Sequence, residues 1–189
     1  MTPVVAANEA GALFTAYHDR ICRYIAGMVR DPAEAEDLTQ ETFLRAYCQQ
    51  ETLRDPKAAR GWLYRIATHV CLDRLRKRGR QVALDGGEEA HHGQPAALEP
   101  SAQETVERAE TSACVQRCLD YLPDSYRAVI LLYEAHGLTA PEIAELLSVS
   151  VGTVKMRLHR ARRRLQEVME IGCTVSGKDS GVPCCESKK

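Results

Sequence analysis

The sequence predicts an all-α protein of two small helical domains joined by a flexible linker, the second domain containing a helix-turn-helix. Three observations predict this. Apolar residues recur at three- and four-residue spacing over most of the chain. Aromatic residues make up only 5% of the composition, Ala, Leu and Arg are plentiful, and β-branched runs are few, a mix that favours helices over strands. Between two periodic stretches, Gly79 to about Ser101 is polar and acidic, and Gly86-Gly87, Gly93, Pro95 and Pro100 interrupt any periodicity there. With 189 residues and 44% hydrophobic content, the chain is long and apolar enough for two small cores.

The elements follow in order. A first helix runs from about Glu9 to Val29, with Leu13, Tyr17, Ile21, Ile25 and Met28 on one stripe. Asp31 caps a second, Pro32 occupies its first position and Glu34 is placed to close a capping box. That helix carries Leu38, Phe43, Leu44 and Tyr47 to about Gln49, and Glu51 to Pro56 reads as a loop. A third helix spans about Lys57 to Arg78 with Trp62, Leu63, Ile66, Val70 and Leu75. Periodicity resumes over Ala102 to Leu122, and a further helix runs from Asp124 to His136, where Gly137 supplies the stop. The domains are accordingly placed at 9–79 and 102–170, with a linker at 80–101 and a Gly/Ser-rich, mobile tail at 171–189.

Thr139-Ala140-Pro141-Glu142 is a capping box with its Pro in the first turn. The short helix that it starts ends near Leu147, Ser148-Val149 turns, and Ser150 caps a second helix to about Glu170. Two helices so closely joined, the second strongly basic, form a helix-turn-helix. On the second helix Val154, Leu158, Ala161 and Leu165 share the inward face. Thr153, Lys155, Met156, Arg157 and Arg160 become the candidates for base and near-base contact, and Arg162, Arg163 and Arg164 for phosphates.

Charge is segregated, although it sums to −1. Arg60 to Arg80 holds seven bases against Asp73 alone, and Lys155 to Arg164 holds six bases and no acid. The segment between them is acidic. Two basic patches fit a polyanion touched at two places, or else two solvated helix faces.

The segment Leu119 to Leu165, LDYLPDSYRAVILLYEAHGLTAPEIAELLSVSVGTVKMRLHRARRRL, resembles the fourth conserved region of extracytoplasmic-function (ECF) sigma factors, which reads the upstream (−35) promoter element. Residues 33–47, AEAEDLTQETFLRAY, resemble the second region, which docks on the clamp helices of RNA polymerase. Gly61 to Arg76, GWLYRIATHVCLDRLR, resembles the part of that region that opens and reads the −10 element. The likeness covers about residues 10 to 170. It implies polymerase-core contacts at Asp37, Gln40, Glu41 and Leu44, and −10 contacts at Trp62, Arg65, His69, Arg74, Arg76 and Lys77. It also implies −35 contacts at Thr153, Lys155, Met156, Arg157, Arg160 and Arg163, and a Glu51-to-Pro56 loop that captures a flipped base. Trp62 reads first as a core residue and only second as support for strand separation. His69 stands where the family commonly has Asn, and Ser148 where the turn commonly has Gly.

The implied function is a sigma factor that binds core RNA polymerase and directs initiation at the promoters of one regulon, in a stress or envelope/metal response. The implied partners are core polymerase, promoter DNA and an anti-sigma factor. Independent of the resemblance, Glu34, Asp37 and Glu41 make an acidic stripe on one helix face, which suits a basic partner surface or plain solvation. No nucleophile–base pair, phosphate-cradling Gly-rich loop or metal-hydrolase motif is found, so no enzyme and no cofactor are expected. With no signal-peptide pattern and no apolar run of about 20 residues, a cytoplasmic location with mostly reduced cysteines is expected. One alternative is a factor that binds duplex DNA without polymerase docking. Another is a metal- or thiol-responsive protein acting through Cys173, Cys184 and Cys185 of the tail.

Overall fold

The computed structural model describes residues 7–29, 31–84, 115–176 and 184–187. The expected linker from 85 onward, with His91 and His92, lies outside the described residues, as do residues 102–114 of the fourth predicted helix.

The first body is three helices, α1 (Ala7–Val29), α2 (Pro32–Cys48) and α3 (Ala59–Leu84). Ile21, Tyr24, Ile25, Met28 and Val29 of α1 are fully buried against Leu63, Tyr64, Ala67 and Val70 of α3. Asp31 caps α2 by accepting from the backbone N–H groups of Ala33 and Glu34 at 2.9 and 3.1 Å. Thr39 and Thr42 face the core from α2, and each donates its hydroxyl at 2.7 Å to the carbonyl four residues back, so neither is left unpaired. Between α2 and α3 the chain makes two 3₁₀ turns, Gln50–Thr52 and Pro56–Ala58. Asp55 caps the second by accepting from Lys57 N–H at 2.9 Å.

Two sequence expectations are corrected here. α3 does not end at Arg78 but passes through Gly79 to Leu84. One interior Gly costs only about 1 kcal/mol against Ala, and the residues around it are good helix formers. Glu34 does not turn back to its own cap. It reaches α3, where Oε1 accepts from Arg74 Nε at 2.5 Å and Oε2 lies 3.7 Å from Arg78.

The second body begins with a helix whose described part is residues 115–120 (α4). α5 (Asp124–Ile130) follows, continued by a π-turn over Leu131–Ala135. The sequence predicts one uninterrupted α-helix here. The wider turn, closed by the His136 N–H to Leu131 carbonyl bond at 3.1 Å, inserts an extra residue before Gly137 ends the helix at φ 63°. α6 (Ala140–Leu147) and α7 (Val151–Gly172) form the helix-turn-helix. Thr139 and Glu142 make the expected box, with the Glu142 carboxylate accepting from Thr139 N–H at 2.7 Å. That bond and the one from the Thr139 hydroxyl hold the Glu142 carboxyl below its usual range. Val154, Leu158 and Ala161 of α7 are buried, and Leu165 is half-buried. Beyond α7, β1 (Cys173–Ser176) pairs antiparallel with β2 (Cys184–Ser187), a short ladder in the segment read from sequence only as a tail.

A single apolar cluster runs through both bodies, from Ile21 and Val70 to Leu132, Ile143 and Val154. At the joint lies Arg127, 2% exposed. Its guanidinium donates to the carbonyls of Leu119 (3.0 Å), Asp120 (3.2 Å) and Leu122 (3.3 Å), and to that of Met28 in α1 (2.9 Å).

Arg127→Ala should lower stability by roughly 3 kcal/mol or more, because it strands buried carbonyls and opens a cavity. Urea unfolding of the full chain followed by circular dichroism checks this, and a midpoint equal to wild type would refute it. Ser148 takes the left-handed conformation at φ 54°, which costs a non-glycine residue roughly 1–2 kcal/mol. Ser148→Gly should therefore raise the unfolding midpoint by the equivalent of about 0.5–1 kcal/mol, once the entropy of an unfolded Gly is set against the relieved strain.

Candidate functional site

Three surfaces carry the residues singled out from sequence. The first is the outer face of α2. Asp37 and Gln40 are exposed, and Glu41 is half-buried in an ion pair with Arg45 at 2.5 Å. Leu44 is 66% exposed and Tyr47 55%, large values for apolar side chains one helical turn apart. With Phe14 of α1 (45% exposed), half-buried Phe43, and Trp62, they line an open apolar groove of about 510 Å³. Phe14 packs edge-on against Phe43 with ring centroids 4.9 Å apart. The acidic stripe is thus divided: Glu34 is engaged by α3 and Glu41 by Arg45, while Asp37 has no ion pair among the described residues. Phe14 and Tyr47 are the groove residues that sequence reading missed. Tyr47 lies three positions from Leu44 on one helix face, a usable signal, whereas Phe14 comes to the groove only through tertiary packing.

The second surface is α3 with the loop before it. Arg65, His69, Arg76 and Lys77 are exposed and lie on one 26-residue helix. Arg74 is exposed too, but its guanidinium is tied to Glu34, which raises its pKa. Trp62 is neither free nor fully buried. Its indole N–H donates to Thr52 Oγ1 at 2.9 Å, and that hydroxyl donates in turn to the Gln49 carbonyl at 2.7 Å. Leu53, buried beneath the loop, pins the same segment. The loop from Gln50 to Asp55 is therefore a built turn, with Glu51, Arg54 and Asp55 pointing to solvent.

The third surface is the N-terminal half of α7. Ser150 caps it by accepting from Thr153 N–H at 3.1 Å. Lys155, Met156 (42% exposed), His159 and Arg160 are open to solvent, and Thr153 and Arg157 are half-buried at the edges. The arginines further along are already engaged. Arg162 bonds Glu134 at 2.6 Å and lies over the Tyr133 ring, and Arg163 pairs with Glu167 at 3.0 Å. Exposed pairs of this kind are worth little and exchange readily for a phosphate. For the tail, the ladder register sets Cys185 opposite Val175 and Cys184 opposite Ser176, with Cys173 opposite Ser187.

A three-helix body with an acidic and apolar outer face, followed by a basic helix-turn-helix, matches two family models. Sigma-70 region 2 matches residues 13–81, and Sigma-70 region 4 matches residues 112–165. The ECF RNA polymerase sigma factor SigW of Bacillus subtilis is 36% identical over 156 residues, 80% of this chain and 83% of that protein. The chain belongs to the ECF sigma factors. SigL of Mycobacterium tuberculosis, another ECF sigma factor, is 35% identical over 89% of this chain and 96% of its own length. SigE of Mycolicibacterium smegmatis is 35% identical over 80% of this chain, a stretch that spans 58% of the longer relative. Among solved structures, the sigma factor RpoE of Bartonella quintana, in complex with the anti-sigma factor NepR, superimposes with a TM-score of 0.72 at 24% identity. The match covers 87% of this chain and 99% of that one. Like its family, this sigma factor binds core RNA polymerase and directs transcription initiation at promoters.

The Glu34 link ties α2 to α3, and thus the exposed apolar face of α2 to the basic helix. The Glu34 side chain is only 14% exposed, against 55% for Arg74. Glu34→Gln should lower stability by about 1 kcal/mol, a charge-assisted bond discounted for its half-exposed partner. The loss should shrink at high salt, which urea titrations at two ionic strengths would register.

Proposed function

We propose that the three surfaces divide the work of initiation among named residues. Asp37, Gln40, Glu41 and Leu44 contact the polymerase core, with Phe14 and Tyr47 extending the same face. Arg65, His69, Arg74, Arg76 and Lys77 hold the −10 strands, and Trp62 braces the Glu51-to-Pro56 loop that takes up an unpaired base. Thr153, Lys155, Met156, Arg157 and Arg160 read the −35 duplex, with Arg163 on its phosphates. The residues 9–79 and 102–170 act as the two working units, with 80–101 connecting them. The observation that carries this reading is the exposed apolar face around Leu44. A 66%-exposed leucine beside a lining of aromatic rings and one uncommitted carboxylate suits a protein partner better than water.

The chain acts by recognition, performs no covalent chemistry, and works in the cytoplasm where core polymerase resides. An anti-sigma factor controls it, as the similar folds of RpoE with NepR and of CnrH with the cytosolic domain of CnrY suggest. The regulon belongs to a stress or envelope/metal response. Leu44→Asp should weaken capture of core polymerase at least tenfold while leaving helix content unchanged, since a buried unpaired carboxylate at an interface centre is strongly penalised. Run-off transcription should fall in parallel. Undiminished core binding by this variant would remove α2 from the interface.

A further inference from the structure

Tyr126 stands on a firmly anchored turn of the second body and reaches across to α7. It lies in the first turn of α5, where its backbone N–H donates to the Pro123 carbonyl at 2.8 Å. The next residue is Arg127, whose buried guanidinium ties that turn to four carbonyls. The Tyr126 ring is half-buried against the core where α5 packs on α7. Its hydroxyl accepts from Arg160 Nη1 at 3.4 Å, 34 residues further along the chain.

That contact sets Arg160 apart from the other cations of α7. Arg162 bonds Glu134, and Arg163 and Arg164 both pair with Glu167. Each of these must leave a carboxylate before it can meet a polyanion. Arg160 has none within helical reach, because its neighbours three and four positions away are Met156, Arg157, Arg163 and Arg164. It forms no ion pair among the described residues. Lys155 and Arg157, the other cations proposed to read base edges, have no side-chain hydrogen bond there either. Of the three, Arg160 is the one held in place, and its holder is neutral.

A phenol oxygen restrains a guanidinium without cancelling its charge, so no carboxylate has to be displaced when DNA arrives. The bond also takes only Nη1. The edge formed by Nε and Nη2 stays open, a planar fork able to meet two acceptors side by side on a base. Freezing a long, exposed side chain on binding otherwise weakens affinity by about three- to tenfold. A residue that fixes the arginine beforehand removes part of that loss, and does so for one orientation only.

We propose that Tyr126 is a positioning residue for promoter reading: it holds Arg160 with the Nε–Nη2 edge open to the −35 duplex, and so sets how sharply that arginine discriminates among base pairs. This rests on the assignment of Arg160 to the −35 element. Tyr126 acts through Arg160, so its effect is confined to the base pairs that Arg160 reads. A phosphate contact, in contrast, would raise affinity for every sequence alike.

The test uses holoenzyme reconstituted from core polymerase and the full chain. Wild-type holoenzyme selects duplexes from a pool randomised across both promoter elements. Binding is then measured to the best selected duplex and to each single base-pair substitution within its −35 element. Arg160→Ala should flatten this profile at one base pair or two adjacent ones. Tyr126→Phe keeps the ring and its packing and removes only the hydroxyl. It should lower discrimination by about three- to tenfold at those same positions and leave the others as in wild type. Added to Arg160→Ala, it should change nothing further. A uniform loss over all duplexes, with a salt slope reduced by about one, would make Tyr126 a phosphate contact and overturn the positioning role. A Tyr126→Phe profile identical to wild type overturns it as well. If Arg160→Ala itself leaves the profile intact, it is the −35 assignment of Arg160 that fails, and the proposal falls with it. Capture of core polymerase, scored separately, should be the same for all these variants.

Discussion

The arrangement turns on one buried cation. Arg127 sits where two helices end together: Met28 lies in the last turn of α1, and Leu119 and Asp120 in the last turn of α4. Helix C-termini leave carbonyls without intrahelical donors and carry the negative end of the helix dipole. A lone guanidinium in a core would be strongly unfavourable. Here its planar fork meets four carbonyls from two converging helix ends, so the same interaction answers the desolvated charge and the orphaned acceptors. A lysine could not spread its donors over so many directions. At the same joint Leu131 of the π-turn packs against buried Gly27 of α1, and the His136 ring shares a hydrogen bond with Tyr64 of α3 at 2.8 Å.

How much of this could be read beforehand follows from the range of each interaction. Caps and stops are local, and the sequence places Asp31, Thr139 with Glu142, Ser150 and Gly137 where the structure has them. The inward face of α7 is also local, a matter of spacing alone, and Val154, Leu158 and Ala161 are buried. What escapes is set by partners far along the chain. Glu34 satisfies the spacing for a capping box, yet Arg74, forty residues on, competes for its carboxylate and wins. Arg127 reads from sequence as an ordinary helix arginine, because nothing local announces four carbonyls. The π-turn escapes for the same reason. Its extra residue makes sense only when Leu131 must meet Gly27 and His136 must reach Tyr64.

The candidate surfaces show a parallel division. Residue type and helix spacing suffice to nominate Lys155, Met156 and Arg160, and the family resemblance adds Leu44; the fold leaves all four exposed. They do not reveal which charges are already spoken for. Of three carboxylates in the α2 stripe, two are held within the chain, and the arginines at 162 to 164 all have glutamate partners. The internal pairs lower the charge displayed by the free protein without removing it, because exposed ion pairs rearrange at small cost when a polyanion arrives. The composition's near-zero net charge thus conceals surfaces that differ in sign and in readiness.

Trp62 shows how a single side chain can serve packing and loop position together. Its ring lies in the apolar groove with Leu53 and Leu63, while its N–H fixes Thr52 in the loop on the groove's rim. The core reading from sequence is thus only part of its role within the fold. The aromatic body supplies packing from α3, and the one polar atom is spent on holding the backbone of the turn that precedes it. A phenylalanine would keep the first role and lose the second. The loop's exposed residues Glu51, Arg54 and Asp55 inherit their orientation from that bond and from Leu53 beneath them. α3 and the loop before it are in this way one mechanical piece. The exposed apolar face of α2 reaches the same piece through Leu53 and Trp62, which line its groove.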